Sequence, residues 1–181
     1  MRATSIEQVI TVLDDMREVA IISKFAVGGA FAAILHDEPI STVDLDIFFI
    51  LTKGGDETIL SLAEIYDYAR EKGFEFDHEF INIHGWLVQF VESSRNNLWL
   101  EAIESASPIR VGNREIRLID PEHLAAMWLL AGRAKDYQKI SMFIESGLID
   151  TTKFLNLLKR HDLMVKWERQ NWRFLNDAGP S

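Results

Sequence analysis

The sequence predicts an α/β protein, with a mixed α/β unit up to about residue 119 and a helical C-terminal part after it. Three observations lead to this prediction. Strand-like apolar runs alternate with helical patterns in the first part of the chain, two glycine-containing turns join pairs of strands, and only helical patterns follow Pro121. Because no Pro/Gly/Ser-rich linker separates residues 1–119 from residues 120–181, we expect the helices to pack directly on the core.

The elements of the first half are predicted from the spacing of apolar residues and from the glycines that interrupt them. Apolar residues recur at helical spacing after Ser5, and the Gly28-Gly29 pair ends the strand that follows. Gly73 stops a long helical pattern. The predicted elements are a helix from Ser5, a strand over 21–27, a helix from Gly28 through about His36, a turn at 37–39, a strand over 43–51, a loop at 53–56 and a helix over 57–72.

Two short turns organise the next part of the chain. His84-Gly85 and Gly112-Asn113 each lie between two apolar runs, a pattern typical of β-hairpins. The predicted elements are strands over 75–82 and 86–92, a helix over 95–105, strands over 108–111 and 115–119, and helices over 121–132, 135–146, 150–160 and 162–176. We expect the tail from residue 177 to be loose.

Composition and charge restrict the function. The chain has 181 residues, 48% of them hydrophobic, which suffices for a sizeable core, and it contains no cysteine. Disulfides and thiol chemistry are therefore excluded, and we expect a cytoplasmic protein without a signal peptide or a membrane span. The formal net charge of −9 argues against broad nucleic-acid binding, because that binding requires a basic face. A focused basic pocket for one nucleotide or an RNA end remains compatible with it.

Residues 26–48 contain the most informative pattern of the sequence. An apolar run leads into Gly28-Gly29, and a second apolar run contains Asp44 and Asp46. Alternate side chains of a strand share a face, so the two carboxylates would project side by side and repel each other unless a cation lies between them. A divalent metal such as Mg²⁺ or Mn²⁺ would fill that role, and the glycine turn would expose backbone N–H groups to phosphate. The pattern predicts nucleotide chemistry.

Gly28-Gly29, a spacer of fourteen residues and Asp44-Leu45-Asp46 together resemble the signature of the nucleotidyltransferase superfamily, which has the polymerase-β-like fold. This resemblance implies a nucleotidyltransferase-like mixed sheet flanked by helices. It also implies that Gly28 and Gly29 hold the triphosphate of an NTP, while Asp44 and Asp46 bind the metal ions that activate an attacking hydroxyl. Two-metal nucleotidyl transfer would be the reaction. The alternative is that the glycines only permit a tight turn and the acids cap a sheet edge.

A second stretch, Leu118 to Leu124 followed by Leu129 to Asp136, is similar to the tail of small bacterial AbiEii-like, toxin-type nucleotidyltransferase proteins. That similarity implies that Arg133 and Lys135 contact phosphate, and that Asp136 caps a helix or orients a basic partner. It also raises a toxin–antitoxin role with a small protein partner. Alternatively, Asp136 is an ordinary acid in the first turn of a helix.

The sequence departs from the superfamily pattern at its third acid. Gln89 stands in Val88-Gln89-Phe90, where a carboxylate is expected, and a glutamine cannot accept a proton from a substrate hydroxyl. Two substitutes are possible. The first is the alternating set Glu75, Asp77 and Glu79, which more simply forms a solvated face, and the second is Glu92.

Three functions remain open from the sequence. The first is a metal-dependent enzyme that binds Mg-NTP and transfers a nucleoside monophosphate to a hydroxyl acceptor on RNA, a protein or a small molecule. The second is a non-catalytic nucleotide- or protein-binding module of the same fold, which Gln89 favours. The third is a metal-dependent phosphohydrolase that uses the same two acids. Neither the acceptor nor the preferred base follows from the sequence.

Overall fold

The computed structural model of the protein describes residues 2–29, 31–32, 44–52 and 58–177. Seven helices and seven strands have defined bounds within those ranges. The helices are α1 (Arg2–Glu18), α2 (Thr58–Glu71), α3 (Asn97–Ser105), α4 (Pro121–Ala131), α5 (Ala134–Glu145), α6 (Thr151–Arg160) and α7 (Met164–Asp177). The strands are β1 (Ile22–Gly28), β2 (Asp44–Leu51), β3 (Glu75–Asp77), β4 (Phe80–Ile83), β5 (Trp86–Glu92), β6 (Ser107–Val111) and β7 (Arg114–Leu118).

The chain divides into two compact units, Met1–Ile119 and Asp120–Ser181. The first unit contains a seven-stranded sheet in the order β3-β4-β5-β2-β1-β7-β6. The sheet is mixed, because β2 runs antiparallel to β1 and parallel to β5, while β1 runs parallel to β7. Together with the helices, this sheet confirms the predicted α/β fold class.

The core of the first unit is built on the apolar face of the central strands. Leu45, Ile47 and Phe49 alternate along β2 and are almost completely buried, as period-two patterning requires. From α1, Val9 and Met16 are fully buried, which agrees with the helical spacing seen in the sequence. The central strand β2 is thus fixed by its apolar side, and its other side carries Asp44, Asp46 and Phe48.

Both predicted hairpins are present. Ile83 pairs with Trp86 around His84 and Gly85, which have φ of 53° and 88°. Val111 pairs with Arg114 around Gly112-Asn113, and Gly112 has φ of 60°. These left-handed conformations are those of tight hairpin turns, whose twist matches that of the flanking strands.

One predicted strand is wrong in its extent. The sequence predicts a single strand over 75–82, but β3 and β4 form a hairpin in which Asp77 pairs with Phe80. His78 adopts a φ of 55°, a left-handed conformation that turns the chain although His78 is not a glycine. The predicted helix after Gly28 is described only at Gly29, Phe31 and Ala32, which are helical. The rest of that helix, the turn at 37–39, the loop at 53–56 and the last four residues lie outside the described residues.

The second unit consists of α4, α5, α6 and α7, close to the four predicted helices. Aromatic pairs hold these helices together, with ring centroids 5.0 Å apart for Trp128 and Phe143 and 5.3 Å apart for Phe154 and Trp167. Gly132 ends α4 in a left-handed conformation, and its N–H donates to the Trp128 carbonyl oxygen. Within the described ranges, no helix has both the length and the apolarity needed to cross a membrane.

Candidate active site on the central strands

The predicted glycines and acids meet on three adjacent strands. In the sheet, β2 lies between β1 and β5. Gly28 of β1 is the register partner of Asp46, and Gln89 of β5 is the register partner of Asp46 on the other side. Side chains directly opposite in neighbouring strands point to the same face, so Gln89 lies beside Asp46 about 5 Å away across the strands. The structure therefore brings Gly28, Asp46 and Gln89 into one row.

Asp44 joins this row from two positions earlier on β2. Asp44 and Asp46 are half-buried, whereas Leu45 and Ile47 between and after them are 1% and 0% exposed. The acids thus share the face that is opposite to the apolar core. Asp44 pairs with Leu87 of β5. Two carboxylates stand side by side at the start of a strand whose other face is anchored in the core.

Gly29 lies directly against the carboxylate of Asp46. A Cβ atom added at Gly29 would lie 2.7 Å from the Asp46 Cγ and would overlap its carboxylate oxygen. Gly29 also has a φ of 63°, which L side chains rarely adopt. The positive φ and the nearby carboxylate both require glycine at this position. The absence of a side chain lets the turn lie against Asp46.

Gly28 is required for a different reason. A Cβ atom at this position would lie 2.5 Å from the Phe48 Cε2 and 3.1 Å from the Ile119 Cδ1. Phe48 in turn packs edge-on against Trp99 of α3, with ring centroids 5.8 Å apart. Phe48 follows Asp46 by two positions, so this aromatic pair covers the acid-bearing face of β2 next to the carboxylates. The sequence does not indicate Trp99 as part of this site, because its contact with Phe48 joins residues distant in the chain.

The row offers three side chains with oxygen donors to a divalent metal, two carboxylates and one amide. No group of three or more His, Cys, Asp or Glu residues that could hold a metal occurs among the described residues. Two carboxylates with a neighbouring amide oxygen still fit Mg²⁺, which takes oxygen ligands and commonly binds through one or two carboxylates plus substrate phosphates and waters. Asp44, Asp46 and Gln89 therefore suit a metal that arrives with a phosphate-bearing substrate rather than one held by the protein alone.

The two possible substitutes for a third acid lie elsewhere. Glu75, Asp77 and Glu79 do not form a ladder on one strand, because the chain turns at His78, and all three are exposed. Glu92 is the register partner of Phe49, so it belongs to the face opposite to Asp46. Its carboxylate accepts a hydrogen bond from the Ser94 N–H at 2.8 Å. Gln89 is left as the residue beside Asp46.

Arg133, Lys135 and Asp136 belong to the second unit. Arg133 precedes α5, and its guanidinium donates two hydrogen bonds to the Asp136 carboxylate, from Nε at 2.6 Å and from Nη2 at 3.2 Å. The Asp136 side chain is fully buried, whereas that of Arg133 is 61% exposed. Such a bidentate pair orients the guanidinium. Lys135 is exposed at the start of the same helix.

The glycine turn and the paired acids thus lie together on the central strands of the mixed sheet. No protein-family model and no curated protein matches the chain. The chain is similar to the solution structure of the antibiotic-resistance factor ANT(2'')-Ia, a protein with substrate-regulated conformation dynamics. That similarity has a TM-score of 0.49 at 15% sequence identity and covers 97% of this chain and 95% of that chain. It says nothing about the reaction or the substrate of this protein.

The contact between Gly29 and Asp46 predicts a stability difference between two glycine substitutions. Gly73 also has a positive φ, of 76°, but nothing lies within 4 Å of a Cβ added there. Gly73→Ala should cost only the strain of a left-handed residue, about 1–2 kcal/mol in the free energy of unfolding. Gly29→Ala should cost about 1–3 kcal/mol more, because the new methyl group overlaps the Asp46 carboxylate. Urea denaturation measures both values.

Asp46→Ala provides the control for this comparison. In that background the carboxylate is gone, so Gly29→Ala should cost little more than Gly73→Ala does. If Gly29→Ala lowers the free energy of unfolding equally with and without Asp46, the Asp46 carboxylate does not occupy the space of a side chain at Gly29.

Proposed function

We propose that this protein is a nucleotidyltransferase-fold enzyme that binds an NTP with Mg²⁺ or Mn²⁺ and transfers a nucleoside monophosphate to a hydroxyl acceptor. One observation supports the proposal above the others: the Gly28-Gly29 turn lies against Asp46 in register, with the Asp46 carboxylate in the place of a Gly29 side chain. Gly29 follows the last residue of β1, and packing of the strand does not account for its position against Asp46. The close approach of this turn to the acid is explained if a phosphate and a carboxylate-bound cation must lie close together.

Each residue of the row has a defined task in this proposal. The backbone N–H groups at the Gly29 turn, which opens a helical segment, hold phosphate oxygens. Asp44 and Asp46 hold the divalent cation, and Gln89 adds a neutral oxygen ligand beside Asp46. When bound, the metal neutralises phosphate charge and lowers the pKa of the attacking hydroxyl. The rigid apolar side of β2 keeps the two carboxylates in place.

The second unit carries two basic residues at the start of α5. Arg133, oriented by the buried Asp136, and the exposed Lys135 are the proposed phosphate ligands of this unit. RNA, a protein or a small molecule could provide the acceptor hydroxyl. A toxin–antitoxin role with a small protein partner belongs to the same proposal.

Gln89 supports a second candidate, a non-catalytic nucleotide-binding module of the same fold. In the row of β1, β2 and β5, a neutral amide lies where a third carboxylate would act as a base. A glutamine cannot accept a proton at neutral pH, and losing a general base typically lowers a rate about 10²- to 10⁴-fold. With Gln89 in place of an acid, the affinity for Mg-NTP would fall less than the rate of nucleotidyl transfer.

Removing one acid tests the proposed metal site. Asp44→Asn should weaken the binding of Mg-NTP at least about tenfold, because even indirect damage to a metal ligand costs about 10- to 100-fold in affinity. Calorimetric titration of Mg-ATP, Mg-GTP, Mg-CTP and Mg-UTP measures this. Asp77→Asn removes the same charge from an exposed position on β3 and should leave binding unchanged. Equal binding by wild type and Asp44→Asn would contradict the proposal.

The same titration, followed by incubation with labelled NTP and candidate acceptors, separates the functions. A labelled RNA, protein or small molecule indicates transfer, free phosphate indicates a phosphohydrolase, and binding without either product indicates the module. Loss of labelled product in Asp44→Asn with an unchanged melting temperature would assign the transfer to this site.

A third carboxylate introduced beside Asp46 tests the register of β5. Gln89→Glu should lower the melting temperature of the metal-free protein, since it adds a like charge next to Asp46. It should also enlarge the rise in melting temperature that Mn²⁺ produces, because three carboxylates bind a cation better than two. Gln138→Glu makes the same substitution at an exposed position of α5. It should change neither the melting temperature of the metal-free protein nor the rise that Mn²⁺ produces. Identical thermal shifts for both variants would contradict the placement of Gln89.

A further inference from the structure

A cavity lies in the first unit, where β1 and β7 separate. The parallel pairing of these strands is limited to Val27 and Leu118, next to a hydrogen bond from the Ile119 N–H to the Val27 carbonyl oxygen at 3.0 Å. Residues 23–25 of β1 and 114–117 of β7 line a cavity of about 530 Å³ between the strands. We call it the β1–β7 cavity. It adjoins the end of β1 away from Gly28, and Val27 lies between the two sites.

The β1–β7 cavity has basic residues on both sides of the sheet. The Cζ atom of Arg17 in α1 lies over the Phe25 ring, 6.0 Å from the ring centroid. The Nζ atom of Lys24 lies 3.7 Å from the Oε1 atom of Glu104 in α3. Because Lys24 and Phe25 are consecutive in a strand, they point to opposite faces. Helix α1 therefore borders the cavity on one face and α3 borders it on the other.

The two arginines of β7 that line the cavity also lie on opposite faces of the sheet, one towards α1 and the other towards α3. Arg114 reaches Asp14 of α1, with Nη1 3.6 Å from the carboxylate. Arg117 donates to two backbone carbonyl oxygens at the end of α3, those of Glu104 and Ala106. A cationic group from β7 is thus present on each face of the cavity.

These cations outnumber the carboxylates that face them. The lining contains four basic residues and three acidic ones, which are Asp14 on the α1 side and Glu104 and Glu115 on the α3 side, so the cations exceed the carboxylates by one. Arg17 and Arg114 both contact the carboxylate of Asp14. The Arg17 Nη2 lies 3.0 Å from Oδ1, and the Arg114 Nη1 lies 3.6 Å from Oδ2. Within the part of the chain that the structure describes, the hydrogen bonds of Arg117 go to backbone carbonyl oxygens and not to a carboxylate. Guanidinium groups bind phosphate and carboxylate through paired hydrogen bonds, so a small anion would complete this arrangement.

We propose that the β1–β7 cavity is a binding site for a small polyanion with two oxyanion groups. One group binds Arg17 and Arg114 on the α1 side, and the other binds Arg117 and Lys24 on the α3 side. The cavity volume lies within the range of about 300–1,000 Å³ that is usual for small-molecule sites. This site is separate from the proposed nucleotide site and needs no metal.

Titration of pyrophosphate and of citrate in the presence of EDTA tests the proposal. EDTA removes the divalent metal that the proposed nucleotide site requires, so this titration measures binding to the β1–β7 cavity alone. A negative result therefore does not bear on the proposed function, and a negative result for Mg-NTP binding does not bear on the β1–β7 cavity. The expected result is saturable binding of at least one probe, with amide chemical-shift changes confined to the residues that line the β1–β7 cavity. Orthophosphate, with one oxyanion group, should bind more weakly. Preference for pyrophosphate assigns a phosphate ligand, and preference for citrate assigns a carboxylate ligand.

Matched arginine variants locate the site. Arg114→Gln and Arg117→Gln should each weaken binding about tenfold or more, because each removes charged hydrogen bonds. Arg110→Gln removes the same charge from the same hairpin at an exposed position outside the cavity lining and should leave binding unchanged. Since Arg117 also binds the end of α3, Arg117→Lys keeps the charge and should give an intermediate affinity in a protein with wild-type melting temperature. Absence of saturable binding, shifts spread over other basic residues, or equal weakening by Arg110→Gln would overturn the proposal.

Discussion

The contact between Gly29 and the Asp46 carboxylate is the constraint on which the arrangement of the candidate site depends. The acid occupies the space that any side chain at Gly29 would need, and a φ of 63° at Gly29 turns the chain away from β1 at that point. Pairing of Gly28 with Asp46 fixes the turn along the strand, while the buried Leu45 and Ile47 fix Asp46 itself. Moving any one of these groups would open a gap or create a clash.

The same row contains two acids and one amide. Gln89 is held beside Asp46 by the parallel pairing of β2 with β5, and the described part of the chain brings no third carboxylate to that place. A site with two carboxylates needs the phosphates of its ligand to complete a metal's coordination. Binding of the nucleotide and of the cation would then be mutually dependent. Gly28 and Gly29 would provide the phosphate half of this shared site, and Asp44 and Asp46 the cation half.

Local signals in the sequence predicted most of the fold, whereas long-range contacts did not follow from them. The hairpins around His84-Gly85 and Gly112-Asn113 have turn residues suited to left-handed conformations, so their strands could be placed. The turn at His78 lacks that signal, and for this reason residues 75–82 read as one strand. The packing of Trp99 on Phe48 and the separation of β1 from β7 depend on residues far apart in the chain, which no local pattern encodes.

Paramagnetic broadening by Mn²⁺ in the presence of NTP tests the central claim most directly. If Asp44, Asp46 and the Gly28-Gly29 turn form one site, substoichiometric Mn²⁺ should selectively broaden the amide resonances of residues 28, 29, 44–46 and 88–90. The effect should need the nucleotide, because two carboxylates alone bind the cation weakly. Broadening centred on the exposed acids of residues 75–79, or broadening that is the same without nucleotide, would contradict a shared metal and phosphate site on the central strands.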